Sequence, residues 1–451
     1  MRPTILTISF LSVLPVLSLW TACATAPVDD HEATVEPQAV ELTAEDVDHV
    51  TVGESDGVVR DWNEQAITTA HIRSLNDAQA ARTFAMMNVA IYDAVNGVVP
   101  LRGHALVAPT SSARGSRVAA AARAAHDVLV GLFPDQIAGY DALLASQLAG
   151  VRPGSAATAG AAWGATVGAE VLARRANDGS TPAETQPAGT GPGQFRAAFA
   201  NAQFRNLAPF AIASATPYIS SGPPALTSVD YAAAYAEVQI LGSAAIVDPA
   251  KLDTFTFWSL GAGTSQPPGA WIRIALEVTQ THPRDLASSA RLFALLGMAM
   301  ADTVAPTYAS KFLSHAWRPT TAIREGDSDG NPITLADPAW VARAGSVGGT
   351  PEHWSGHSSF SAAAATVLAG FFCDDGIAFD FTSESAPAGA RHYDSFSAAM
   401  TEAGRSRVFG GQHFELSNQA GLTAGRGVAR EVLANKLLRK LGPTRLGSCP
   451  L

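Results

Sequence analysis

The chain has 451 residues, is 47% hydrophobic and only 16% charged, and carries a net charge of −10. That length and apolar content allow a large core, in one big domain or two closely packed ones. The acidic balance and the lack of a long basic stretch exclude a nucleic-acid-binding surface.

The first segment, MRPTILTISFLSVLPVLSLWTACATAP, sets one arginine before an apolar run of signal-peptide length. Thr7, Ser9, Ser12, Pro15 and Ser18 interrupt the run, so it suits a permanent membrane span poorly. LWTAC, Leu19 to Cys23, resembles a bacterial lipoprotein processing box, with Trp20 where leucine is usual and Leu19 one place further back. Residues 1–23 are therefore expected to be a lipoprotein-type signal peptide with Cys23 lipidated. The protein would be exported and held at a bacterial membrane, periplasmic or at the cell surface, through that anchor alone. The alternative is cleavage after Ala24 to Ala26 and a free periplasmic or secreted protein. Residues 24–49 are acidic, contain no Lys or Arg, and read as a solvated linker. The folded domain is expected over 50–451. In an oxidising compartment Cys373 and Cys449 either pair or remain two thiols.

Apolar residues at helical spacing predict helices over 60–72, 80–98, 116–133, 135–150 and 154–178. Residues 179–228 are rich in Gly, Pro, Thr and Gln and predict a long irregular segment over one face, as the lid or rim of a site. Helical spacing returns over 228–243, 287–317, 358–372 and 418–441, with a second irregular stretch over 324–354. No strand series and no fixed-period repeat is visible. The alanine content also favours helix. The expected class is all-α: helical bundles with long functional loops.

Three short motifs carry chemistry. In KFLSHAWRP, Lys311 and Arg318 are seven residues apart, which is two helical turns and one face, and Pro319 is expected to end the element. In WSGHSSF, Ser355 and Gly356 precede a helix, so the local backbone N–H groups form an oxyanion site, with His357 at its rim. In GRSRVFGGQHFELSNQAG, Arg407 and His413 are six apart, and Gly410 and Gly411 predict a tight loop whose ends converge. Each motif alone reads as ordinary structure. Together they supply three cations, a helix N-terminus and two histidines, a cage for a tetrahedral or trigonal-bipyramidal oxyanion.

The set Lys311, Arg318-Pro319, Ser355-Gly356-His357 and Arg407-x5-His413 resembles the signature shared by vanadium-dependent haloperoxidases and type 2 phosphatidic acid phosphatases. ARTFAMMNVAIYDAVNG, YAEVQILGS and AIREGDSDGNPITLADPAW resemble the secreted bacterial haloperoxidase-like branch. No further apolar run is long and uniform enough to span a bilayer, which excludes the multi-span phosphatases. The resemblance implies that Lys311, Arg318 and Arg407 neutralise the oxyanion, and that Ser355 gives a hydroxyl and Gly356 a backbone N–H. It implies that His357 is the acid–base residue and that His413 bonds the central atom. In a haloperoxidase the cofactor is vanadate, with His413 as its axial ligand and hydrogen peroxide and halide as substrates. In a phosphatase the substrate is a phosphate monoester, and His413 is the nucleophile forming a phosphohistidine. A non-catalytic lipoprotein that binds an oxyanion or another protein is the third reading.

Two positions depart from the pattern. Ser417 stands where an aspartate usually supports the bonding histidine, and Trp354 stands where proline usually precedes Ser-Gly-His. Glu415 is nearby in sequence but on a different side. Asp302 reads either as a supporting acid or as a helix-face salt bridge. His315 and His353 read as surface or loop residues, and GDSDGN as a plain turn.

Overall fold

The computed structural model describes residues 54–440 apart from Ser112 and Ala388. The expected signal peptide, Cys23 and Cys449 lie outside the described residues. Among the described residues there are thirteen α-helices, four short 3-10 helices and two small two-stranded sheets. The all-α class is therefore as expected.

Five helices come first: α1 (Gly57–Ile72), α2 (Asp77–Val98), α3 (Arg117–Leu132), α4 (Ile137–Ala149) and α5 (Ser155–Arg174). Asn76 and Gln79 form a reciprocal capping box that starts α2, and Ser116 caps α3. Alanine and glycine let α3 and α5 approach closely. A Cβ on Gly164 would lie 2.3 Å from the carbonyl oxygen of Ala120.

The segment 179–228 is irregular, as expected. It holds the short pair β1 (Thr185–Gln186) and β2 (Phe199–Ala200) and two single-turn helices. After it come α6 (Val229–Leu241), α7 (Pro249–Phe257) and α8 (Gln266–Thr281), the last two falling where no helix was expected. The central helix α9 (Leu286–Ser314) has the length and apolar composition of a membrane span, contrary to the expectation that no such run exists. Its apolar window is wholly buried within the protein, which makes it the core helix.

Beyond α9 lie α10 (Pro319–Arg324), α11 (Gly356–Phe372), the hairpin β3 (Phe379–Thr382) and β4 (Ala390–Tyr393), α12 (Phe396–Phe409) and α13 (Glu415–Asn435). Helices α11 and α13 cross at close quarters, where a Cβ on Gly425 would lie 2.1 Å from the Ser359 carbonyl oxygen. Cys373 is disulfide-bonded.

One local expectation is corrected. The helix carrying Lys311 ends at Ser314, because His315 turns left-handed (φ 45°) and caps it. Arg318 is then the N-cap of α10, and Pro319 opens that helix at its first turn, where a missing N–H costs nothing. The tight loop expected at Gly410 and Gly411 is present: α12 ends at Phe409, Gly410 caps it, Gly411 takes φ 70°, and His413 follows before α13. Within α12, Gly404 makes room for Asn418, whose Oδ1 would lie 2.2 Å from a Cβ there.

Candidate active site

Four elements meet at the N-terminus of α11. Lys311 comes from the last turn of α9, Arg318 from the start of α10, Arg407 from the last turn of α12, and His413 from the turn before α13. All four are buried, at 3–5% exposure. Ser355 caps α11, its hydroxyl accepting from Ser358 N–H at 3.3 Å. Within the helix the N–H groups of Gly356 and His357 have no intrahelical acceptor and face the cage end. Gly356 is confined: the Asp77 carboxylate, which accepts the Tyr308 hydroxyl at 2.6 Å, would lie 3.3 Å from a Cβ there.

Arg318 spans the site. It donates to Thr350 O (2.7 Å), Gln412 O (2.7 Å) and His413 Nε2 (2.9 Å). Lys311 Nζ donates to Pro351 O at 2.6 Å. Arg407 donates one N–H to Gln412 Oε1 at 2.6 Å and lies over the Phe255 ring at 5.2 Å. Its Nε and Nη1 are buried with no partner among the described residues. Unpaired buried guanidinium N–H groups are costly, and an oxyanion would satisfy them.

The tautomers follow from this network. A guanidinium can only donate, so His413 Nε2 accepts from Arg318 and the proton sits on Nδ1. His413 Nδ1–H donates to Glu352 Oε1 at 3.1 Å, and Phe414 N–H donates to the same oxygen at 3.0 Å. Ser417 O–H donates to Glu352 Oε2 at 2.5 Å. The Ser417 oxygen then accepts from His353 Nδ1–H (3.0 Å), and His353 Nε2 accepts from Ser220 O–H (2.8 Å). His357 donates Nε2–H to the Ser259 carbonyl at 2.9 Å, which leaves Nδ1 as its free base.

Burial dominates the electrostatics. It lowers Arg318 to about 10, and burial with the neighbouring Arg318 lowers Arg407 to about 9. Burial and Arg318 push Lys311 well below its ordinary value. Burial, then the nearby guanidinium charges, push His413 and His357 well below 6.5, so both are neutral. Burial raises Glu352. Burial and Lys311 lower His353 to about 4, which keeps it neutral too.

The structure thus brings together Lys311, Arg318, Ser355, Gly356, His357, Arg407 and His413. Ser417 does not leave His413 unsupported: Glu352 supplies the carboxylate from the facing loop, and Ser417 holds it. Glu415 is occupied with Arg405 (2.6 Å) and Asn418 (2.9 Å). Asp302 is neither a cage acid nor an ion pair. Burial raises it to about 6, and it accepts N–H groups from Phe210, Ala211 and Ile212, pinning the irregular segment to α9. His353 is not a surface residue but part of the buried network. His315 turns away from the cage to pack on Phe195. Asp329 in GDSDGN accepts from Asn331 N–H within a plain turn.

Residues 291–439 match the family model described as the VCPO second helical-bundle domain. The whole fold superposes on a bacterial vanadium-dependent iodoperoxidase with a TM-score of 0.71 at 21% identity, over 85% of this chain and 97% of that one. It superposes on the holo form of a bacterial vanadium-dependent chloroperoxidase with a TM-score of 0.58, over 79% of this chain and 92% of that one. The apo form gives 0.60 over 79% and 94%, and both are 16% identical to this chain. At these identities the likeness establishes a shared fold. No curated protein sequence matches the chain.

Proposed function

We propose that the chain is a vanadate-dependent haloperoxidase that oxidises a halide with hydrogen peroxide. The observation that carries this reading is the cation excess at the N-terminus of α11. Lys311, Arg318 and Arg407 are buried there with no carboxylate in salt-bridge contact among the described residues, and two of the Arg407 guanidinium nitrogens have no partner among them. Those donors fit a multiply charged oxyanion. The three cations, the Ser355 hydroxyl and the Gly356 N–H would hold the oxygens of vanadate, and His413 Nε2 would ligate the metal. Vanadate would supply Lewis-acid activation of peroxide without changing oxidation state.

The chain's own groups do the rest. Glu352 fixes the proton on His413 Nδ1 and so leaves Nε2 as the acceptor; its lone pair accepts from Arg318 at 2.9 Å, and that N–H would turn to an oxygen of the anion where Nε2 ligates. His357, neutral and with Nδ1 bare, can take a proton from incoming peroxide and return it to the departing oxygen. Lys311 polarises an oxygen held beside it. The superposition on an iodoperoxidase makes iodide the first halide to test, and bromide the second.

The same atoms suit phosphomonoester hydrolysis, in which His413 Nε2 attacks phosphorus and His357 protonates the leaving oxygen. The test uses the full chain, freed of phosphate and loaded with orthovanadate. Vanadate-dependent iodide or bromide oxidation that disappears in His413→Ala is expected. Absence of turnover in protein shown by calorimetry to bind orthovanadate would overturn the haloperoxidase reading. Hydrolysis of p-nitrophenyl phosphate by that protein would then establish the phosphatase.

A further inference from the structure

A second cavity, of about 250 Å³, lies behind the cage. The irregular segment 179–228 forms its mouth, with Pro223 and Ala225 exposed there. Buried Trp317 and Phe414 line it further in, and it reaches Glu352 and Ser417. Its volume is below the roughly 300–1,000 Å³ of drug-sized sites and suits a molecule of one or two rings.

The chemistry of this cavity is opposite to that of the cage. No lysine, arginine or histidine among the described residues lines it. Among the described residues its ionisable groups are Glu352, a carboxylate at 1% exposure, and Tyr231, whose phenol burial holds above its ordinary value and so neutral. Anions are therefore excluded: there is no cation to receive them, and a buried acid opposes them. Glu352 Oε1 already accepts two N–H groups, whereas Oε2 accepts only the Ser417 hydroxyl. A carboxylate oxygen has room for one more donor. Aromatic walls ending at such an acceptor select a flat apolar body with one donor group.

We propose that this cavity binds a neutral aromatic molecule carrying a hydroxyl or N–H group. The ring packs on Trp317 and Phe414 and the donor reaches Glu352 Oε2. Glu352 also holds His413, so the occupant and an oxyanion in the cage share one hydrogen-bonded residue. Their affinities are then coupled, and the coupling is reciprocal. The proposal does not depend on which reaction the cage performs, because binding is read directly.

The test uses three probes with one ring system: 1-naphthol, 1-naphthoate and naphthalene. Each is titrated into the full chain and followed by fluorescence. Ala225→Trp fills the mouth at an exposed position, so the fold and the orthovanadate affinity stay unchanged. The expected result is one site for 1-naphthol, with 1-naphthoate and naphthalene weaker by about tenfold or more. Ala225→Trp weakens 1-naphthol by about the same factor. Saturating orthovanadate shifts the 1-naphthol affinity, and 1-naphthol shifts orthovanadate affinity by an equal factor. Equal binding of all three probes, or unchanged binding to Ala225→Trp, overturns the assignment. An affinity identical with and without orthovanadate overturns the link to His413.

Discussion

Among the first five helices, buried and half-buried arginines face carboxylates. Arg82 and Arg175 share Asp178, Arg117 reaches Glu54, and Arg123 pairs with Asp127. Around the N-terminus of α11 the pattern is reversed. Lys311, Arg318 and Arg407 are as deeply buried as Arg175, at 3–5% exposure, and no carboxylate lies within salt-bridge distance of any of them among the described residues. Glu352 bonds His413 instead. The first region balances its charges within the chain, so its stability needs nothing added. The second is left with a cation excess that a bound anion would neutralise, and a ligand that binds only the folded state stabilises it by mass action.

Removing the Glu352 carboxylate should break the second region hardest. Glu352→Ala leaves three buried cations with the Asp77 carboxylate beside Gly356 as their remaining nearby counter-charge, and frees His413, Phe414 N–H and Ser417. A loss of about 3–5 kcal/mol is expected, the scale for breaking a buried charge arrangement from one side. Urea denaturation at neutral pH reads it, and a loss under 1 kcal/mol on the scale of an exposed pair would show that Glu352 is not structurally central.

The charge contrast itself is tested by a pair of substitutions. Arg82→Gln removes one of two partners from buried Asp178 and should cost about 1–3 kcal/mol. Arg407→Gln removes a cation with two guanidinium nitrogens that have no partner among the described residues, so the anion-free protein should keep its stability or gain some. The same variant should bind orthovanadate at least about tenfold more weakly, a loss of 1.4 kcal/mol or more. Thermal melts with and without orthovanadate give both quantities. Equal destabilisation by the two variants in the anion-free state would refute the contrast.

Packing is where the two regions agree. Gly164 and Gly425 each stand against a carbonyl oxygen of the neighbouring helix, at 2.3 and 2.1 Å from a Cβ. Alanine at either position should cost about 1–3 kcal/mol through forced helix separation. Only Gly425→Ala moves α11, which carries Ser355 and Gly356, so only that variant should also weaken orthovanadate binding. Calorimetry on both separates the effects.

What the sequence makes legible follows from the range of each interaction. Arg-Pro, Ser-Gly-His and Arg-x5-His are local patterns, and each marks an element end that the fold brings to one point. The route to that point was less legible. Lys311 and Arg318 converge although they do not share a helix, because His315 takes a left-handed turn that residue type alone does not announce. Arg407 sits in the last turn of α12, and the Gly410-Gly411 break that the sequence does announce brings His413 back toward it. Glu352 carried no signal: its role depends on the loop before α11 meeting the turn before α13. The absent aspartate at position 417 was the only hint that a carboxylate had to come from elsewhere. Asp302 was read as a charge partner, yet it binds backbone N–H groups of a segment with no regular structure to predict.

The smallest expected effect lies in the first region and concerns pH. His126 is buried between Asp127 (2.7 Å) and Asp141 (2.8 Å), with Arg123 beside Asp127 and the edge of Trp62 against the ring. The hydrogen bond to Asp127 raises its pKa above 6.5, against the opposing effects of burial and Arg123. A histidine raised on folding stabilises fully below its unfolded pKa, and that contribution is lost as pH rises through the folded pKa. Wild type and His126→Gln should therefore differ most in stability below pH 6.5, by about 1 kcal/mol, and the gap should close above it. Urea midpoints from pH 5.5 to 8.5 read the trend. A gap that stays constant would show that the imidazole serves packing alone, and that charge pairing in the first region does not extend to His126.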